Sequence, residues 1–222
     1  MRLPGWRTAR GAPVGLALAL ALAGCGGGSK APPPCRVCAA EVAQVRADAF
    51  ATVAKLTYAE EVYGAPNGAA FHVISRIPGL LDGLSTGNFS LARHAMHHQP
   101  IRHAVAVRVT RGGRTLIDVG LRFVVGGRVH ALHNAQGVYL GRIEVSIQDV
   151  IGFIKLIHRL TGCEVVVAGS TGQAMSSLAA AAGAVLPARG PVTVAGREYT
   201  VSSFRERGFA GEPLRVSILD LG

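Results

Sequence analysis

A change of hydrophobic period near Ile101 divides this chain into two textures. From Ala39 to Tyr63 the apolar residues Val42, Val45, Ala49, Phe50, Val53, Leu56 and Val62 recur mostly at spacings of three and four. That spacing predicts an amphipathic helix of about six turns, ended by Gly64 and Pro66. A second helix is expected over Gly68 to Ile77, stopped at Pro78, and a third over Phe89 to His98, before Pro100. Beyond Ile101 the pattern alternates. AVAVRVT at 104–110 and TLIDVGLRFVV from Thr115 flank Arg111-Gly112-Gly113-Arg114, which reads as a hairpin turn. Tyr139 to Gln148 alternates as well, with Arg142, Glu144, Ser146 and Gln148 on the face opposite Ile143 and Val145. Asp149 then caps a helix from Val150 to Leu160 that Gly162 stops. Strands are expected at Cys163 to Ala168, Arg197 to Phe204 and Leu214 to Leu219. Helices first, then antiparallel strands broken by one helix, predict an α+β fold in which a long N-terminal helix and short helices pack on a sheet with one inserted helix.

The first 24 residues read as an export signal. Arg7 and Arg10 precede an apolar run from Ala12 to Leu22, too short to span a bilayer, and Leu22-Ala23-Gly24-Cys25 has the form of a lipobox. Cys25 is therefore the expected lipid anchor, and residues 25–38, with GGGSKAPPP at 26–34, a Gly- and Pro-rich tether. The folded domain is expected at 39–222, on the extracytoplasmic face of the cell membrane. No later apolar run approaches the roughly 20 residues that a membrane helix needs, so a signal from this domain requires a separate partner.

The formal charge of +10 falls to +7 once Arg2, Arg7 and Arg10 leave with the signal. The basic residues are scattered, with no run denser than Arg205-Glu206-Arg207 and no zinc-finger spacing, which argues against nucleic acid. Anionic lipid, cell-wall polymer or a small acidic ligand suits such a balance better. Cys35 and Cys38 either close a local disulfide beside the tether, the favoured reading, or remain thiols, while Cys163 among valines reads as a buried, inert thiol.

The phrase GVYLGRIEVSIQDVIGFIKLIHRLTG at 137–162, the strand EVVVAG, the alternation GPVTVAGREYTVSSF and the closing GEPLRVSIL resemble a single Cache domain, the extracellular PAS-like sensor also called a PDC domain. The resemblance covers roughly residues 40 to 222 and is closest to stand-alone sensor domains of actinobacterial lipoproteins. It implies a long N-terminal helix along a five- or six-stranded antiparallel sheet, and a non-catalytic, ligand-binding role in signal transduction. In resembling sensors the long helix mediates dimerisation. This implies a homodimer, or docking to a separate membrane receptor, through an outward face that includes Gln44, Arg46, Lys55 and Glu60. The chain lacks the tyrosine, Arg-Trp and aspartate set that amino-acid-binding double Cache domains use.

Candidate ligand residues are Arg108, Tyr139, Arg142 and Ser146 on strands expected to be neighbours, and Tyr199 on another. A concave sheet face lined by arginine and tyrosine suits a carboxylate through paired N–H donors and an aromatic wall. An alternative is a surface metal-binding lipoprotein. His94, His97 and His98 share a helix face, with His103 beyond, yet no acid lies between Asp82 and Asp118 to orient them. A second alternative is an interaction scaffold without a ligand. No H-E-x-x-H or glycine-rich strand-to-helix loop is present, so neither enzyme nor cofactor is expected. His130 and His133 are expected in a loop.

Overall fold

The computed structural model describes residues 36–98 and 104–222. The expected export signal with Cys25, the tether to Cys35, the side chain of His98, and His103 lie outside them. Five α-helices and nine strands follow in the order α1 (Arg36–Tyr63), α2 (Ala65–Ile74), α3 (Pro78–Thr86), α4 (Phe89–His98), β1 (Ala106–Arg111), β2 (Arg114–Gly120), β3 (Arg128–His133), β4 (Tyr139–Ser146), α5 (Val150–Thr161), β5 (Glu164–Gly169), β6 (Ala174–Ser176), β7 (Arg189–Val194), β8 (Arg197–Arg207) and β9 (Pro213–Asp220). The class is α+β, with the long N-terminal helix and the helix between strand runs both in place.

The strands form two antiparallel sheets instead of one. A four-stranded sheet has the order β2-β1-β4-β3 and a five-stranded sheet the order β6-β5-β9-β8-β7. Both are wound alike: an opening hairpin lies at one side, and the last strand of the run returns to pair with the first. Helix α5 connects the two runs.

Local chemistry explains most boundaries. Gly112 and Gly113 both take positive φ, 57° and 77°, which closes the β1–β2 hairpin as expected from Arg-Gly-Gly-Arg. Asp149 accepts the Gly152 amide at the start of α5, and Gly162 ends it in the left-handed region. Pro78 opens a helix, α3, where it was expected only to stop one, because proline at the first helical position gives up an amide that has no partner there anyway. Strands β3, β6 and β7 are also additions, and β3 places His130 and His133 in a sheet, not a loop. The His130 ring stacks on Phe71 of α2, with centroids 3.9 Å apart.

Helices α2, α3 and α4 cover one face of the four-stranded sheet. Ile74, Leu80, Leu84 and Met96 bury there against Val107, Val109, Ile143 and Val145. Helices α1 and α5 cover the five-stranded sheet, where Ala54, Tyr58, Val62, Phe153 and Ile157 meet Val165, Val167, Val216 and Ile218. Cys163 is buried in that cluster, and burial pushes its thiol up to about 11. The opposite face of the same sheet is closed by the segment around Ala181 and Leu186.

The facing of α1 differs from the sequence expectation. Val42, Val45, Val53 and Leu56 are exposed, and the buried face is Ala47, Ala51, Ala54, Tyr58 and Val62. Gln44 and Arg46, expected to point outward, turn to the chain's own sheet. Gln44 donates to the Val201 carbonyl at 3.2 Å, and Arg46 Nε reaches Asp220 at 2.6 Å. The helix also starts at Arg36, three residues inside the stretch expected to be tether. No helix among the described residues is long and apolar enough to cross a membrane.

Candidate functional site

Because β1 and β4 alternate, the residues between their buried valines and isoleucines emerge on the other face of the four-stranded sheet. Register places Arg108 beside Glu144 on one side and Asp118 on the other, with Thr110 beside Arg142 and Val129 beside Glu144. This face meets the turn that joins β8 to β9, so the second sheet supplies its cover. In that turn Ala210 stands in the left-handed region, with φ 62°, and its amide donates to both carboxylate oxygens of Glu144 at 3.1 Å. Phe209 is buried beneath the Arg108 guanidinium, 5.6 Å from its ring centre.

Two cavities flank this contact and share Arg108 and Ala210. The smaller, about 190 Å³, is bordered by Arg108, Thr110, Val129, Arg142, Glu144, Arg207 and Ala210. The larger, about 330 Å³, lies between Arg108, Asp118 and the following Arg122 on one side and Gln173, Phe209 and Glu212, in the β5–β6 and β8–β9 turns, on the other. Their charge balance differs. The larger sets two guanidiniums against two carboxylates, and Arg108 Nη2 is already paired with Asp118 at 2.7 Å. The smaller sets three guanidiniums against Glu144 alone, and that carboxylate is occupied by the Ala210 amide. Arg108 Nε is buried with no hydrogen-bond partner among the described residues. A desolvated donor of this kind costs free energy unless an acceptor reaches it.

The smaller cavity is coupled to α1. The Tyr58 hydroxyl donates to the Arg207 carbonyl at 2.8 Å and accepts the Gly126 amide at 2.9 Å. The long helix, the β2–β3 connection and the end of β8 therefore meet at one oxygen, with burial holding the phenol well above its usual value.

Burial raises the Glu144 carboxyl above its ordinary value of 4.5, while the Ala210 and Gly127 amides and then Arg108 and Arg207 oppose that rise. A carboxyl raised in the folded state binds its proton before the unfolded chain does. Its contribution to stability therefore grows as pH falls through the folded value and levels off below 4.5. Glu144→Gln keeps an acceptor for Ala210 and removes the charge, so it is expected to flatten the stability profile just above pH 4.5. Urea denaturation of both forms across that window checks this; an unchanged slope would mean that Glu144 is not the group responsible.

Of the five expected ligand residues, Arg108 and Arg142 come together at the smaller cavity. Ser146 does not: it is fully buried and donates to the Val125 carbonyl at 2.8 Å, tying β4 to the β2–β3 connection. Tyr139 stands at the start of β4, edge-on to His133. Tyr199 is buried in the five-stranded sheet against Val201 and Leu219. Arg207, Val129 and the Ala210 amide were missed. Arg205-Glu206-Arg207 was visible as the densest basic run, but nothing local says that the end of β8 meets β4. His94 and His97 are both exposed on α4, and no group of three His, Cys, Asp or Glu side chains among the described residues is placed to hold a metal ion.

No family model matches the chain, and no curated protein matches it. Among solved structures it is similar to the LuxQ periplasmic domain of Vibrio cholerae, at 13% identity and a TM-score of 0.37, over 84% of this chain and 98% of that one. It is similar to an extracellular ligand binding receptor from Desulfohalobium retbaense at 14% identity and a TM-score of 0.32, over 68% of this chain and 37% of the receptor. A third is the ligand-binding domain of the Pseudomonas fluorescens chemoreceptor CtaA in complex with L-alanine, at 11% identity and a TM-score of 0.34, over 81% of this chain and 94% of that one. The first of these is a periplasmic domain, the second an extracellular ligand binding receptor and the third a ligand-binding domain. At such TM-scores the likeness gives this chain no ligand, partner or residue role.

Proposed function

We propose that this chain is an extracytoplasmic, non-catalytic sensor domain of the Cache type, held at the cell membrane by a lipid on Cys25, that binds a small organic acid and is read by a separate partner. The observation that carries the reading is that Arg142 and Arg207 border a cavity of about 190 Å³ in which Glu144 is engaged by the Ala210 amide and Arg108 is paired with Asp118. A ligand carboxylate is matched in charge by Arg142 and Arg207 and in geometry by a planar guanidinium fork, with Val129 as an apolar wall. The cavity's volume equals that of about six waters in the liquid, which favours an acid of a few carbon atoms. An exported domain resting on a Gly- and Pro-rich tether has access to such solutes, and the LAGC sequence supplies the anchor.

Thermal-shift screening of the protein against organic acids, amino acids and divalent metals tests this. A ligand at 100 times its dissociation constant adds about 2.7 kcal/mol of stability. Arg142→Ala and Arg207→Ala are each expected to weaken an acid's binding by about tenfold or more, since a hydrogen bond to a charged group is worth about 1.5–3 kcal/mol. A shift with acids that neither substitution alters would reject the site. A shift with metals alone, lost in His94→Ala/His97→Ala, would favour the metal-binding alternative, and no shift at all the scaffold without a ligand.

A further inference from the structure

Glu144 is a carboxylate inside the cavity assigned to an acid, and it has no ion pair there. Among the described residues no lysine, arginine or histidine nitrogen is paired with it. Its oxygens are held by a neutral donor instead, the Ala210 amide, at 3.1 Å to each. The side chain has little room to swing away, because the Gly127 backbone lies against its stem: a Cβ there would stand 3.0 Å from Glu144 Cγ. Positive charge reaches it from a distance. Arg108 on β1 and Arg207 at the end of β8 act on it, and Arg142, two residues back on its own strand, borders the same space. Arg108 is already given to Asp118, at 2.7 Å. From α1 comes the Tyr58 phenol, which feels the charges of both Glu144 and Glu206. Val129, the neighbour on β3, carries no charge.

An acid held by Arg142 and Arg207 changes this balance in two ways. It neutralises Arg207, the remaining guanidinium whose field supports an ionised Glu144, and it brings a second carboxylate into a space of about six waters. That separation is well inside the roughly 8–10 Å over which salt leaves charges unscreened. Two carboxylates in one small site do not both stay ionised; one takes a proton, and the O–H so formed donates to the other. Burial already tilts Glu144 towards its neutral form. We propose that the cavity takes up its acid together with one proton, and that Glu144 carries that proton. The proton comes from solvent, and no other bond is made or broken. One Glu144 oxygen keeps the Ala210 amide while the other, as a hydroxyl, donates to the bound carboxylate. The domain then responds to acid and acidity jointly, strongly in acidified surroundings and weakly in neutral ones. This inference rests on the acid-binding reading above and adds a regulation to it.

Isothermal titration calorimetry of the full chain in nonionic detergent, with formate as the probe, tests the proposal. Formate is the smallest carboxylate and stays ionised from about pH 5.5 to 7.5, so a pH dependence across that range belongs to the protein. Titrations in two buffers of different ionisation heat count the protons. The expected result is uptake of about half to one proton per formate, with affinity falling by up to about tenfold per pH unit as pH rises. Glu144→Gln keeps an acceptor for Ala210 and cannot be charged. It is expected to bind formate with little pH dependence, and about tenfold or more tighter than the native chain at about pH 7.5. An unchanged circular dichroism spectrum shows that the variant is folded. Carbon-13 NMR of the side-chain carboxyls follows Glu144 in the native chain itself, where its titration is expected to move to higher pH with formate and not with chloride. Formate binding that Arg142→Ala weakens but that takes up no proton would overturn this proposal and leave the acid site standing. Uptake undiminished in Glu144→Gln would overturn it too, by placing the proton elsewhere. No binding at roughly 100 mM formate would overturn the acid-binding reading itself, and this inference with it.

Discussion

Phe153→Ala is expected to destabilise the protein by about 3–5 kcal/mol, the range for removing a fully buried phenylalanine. Phe153 has no exposed surface and lies at the centre of the contact between α5, α1 and the five-stranded sheet. Its ring meets Tyr58 edge-on, with centroids 5.6 Å apart, an arrangement that adds to the burial of area. Truncation leaves a cavity between three rigid elements, and two helices and a sheet cannot all move inward to fill it. For a domain of this size the loss amounts to a fall in Tm of roughly 10 °C. Thermal denaturation followed by circular dichroism measures it, with Phe153→Leu as the milder companion. A fall of only a degree or two in both would place the stabilising core elsewhere.

Gly126→Ala is expected to cost less stability and more function. A Cβ at this position would stand 2.4 Å from the Arg207 carbonyl and 2.9 Å from the Tyr58 hydroxyl. The β2–β3 connection therefore has to retreat, at about 1–3 kcal/mol for the overpacking. The retreat breaks the bond from the Gly126 amide to Tyr58 and disturbs the one from Tyr58 to Arg207. Arg207 borders the cavity assigned to the acid, so its displacement is expected to abolish any ligand-induced thermal shift while the folded signal persists. Tyr58→Phe, which removes the same bonds without the crowding, should weaken that shift in the same direction. Full ligand response in Gly126→Ala would show that the joint and the cavity are independent.

Local structure was legible wherever one short stretch of chain decides it. The period of the apolar residues identified α1 and β4, Asp149 and Gly162 bounded α5, and the paired glycines at 112 and 113 marked a hairpin. Strands β3, β6 and β7 were less legible, being short or, in β7, opened by Arg-Gly-Pro, a sequence that reads as a turn until a neighbouring strand supplies its hydrogen bonds. Of the site, Arg108 and Arg142 were visible because they share a face with alternating neighbours. Ser146 has the same parity but lies fully buried where β4 passes beneath the β2–β3 connection, a crossing that no pattern in β4 records.

The sequence by itself determined the α+β order of elements, their caps and the faces of the central strands, since these follow from backbone geometry over a few residues. Only the tertiary structure decided that the strands split into two sheets, that Arg207 and Ala210 close over Glu144, and which side of α1 enters the core. Periodicity favoured the valines and Leu56 for that core because they are the more apolar residues. The folded chain buries Ala47, Ala51 and Ala54 instead, because small side chains let the helix lie close on the sheet while Tyr58 reaches the Arg207 carbonyl and the Gly126 amide. Period reports how many apolar faces a helix has. Which of two such faces meets a given sheet depends on volume and on partners distant in the chain.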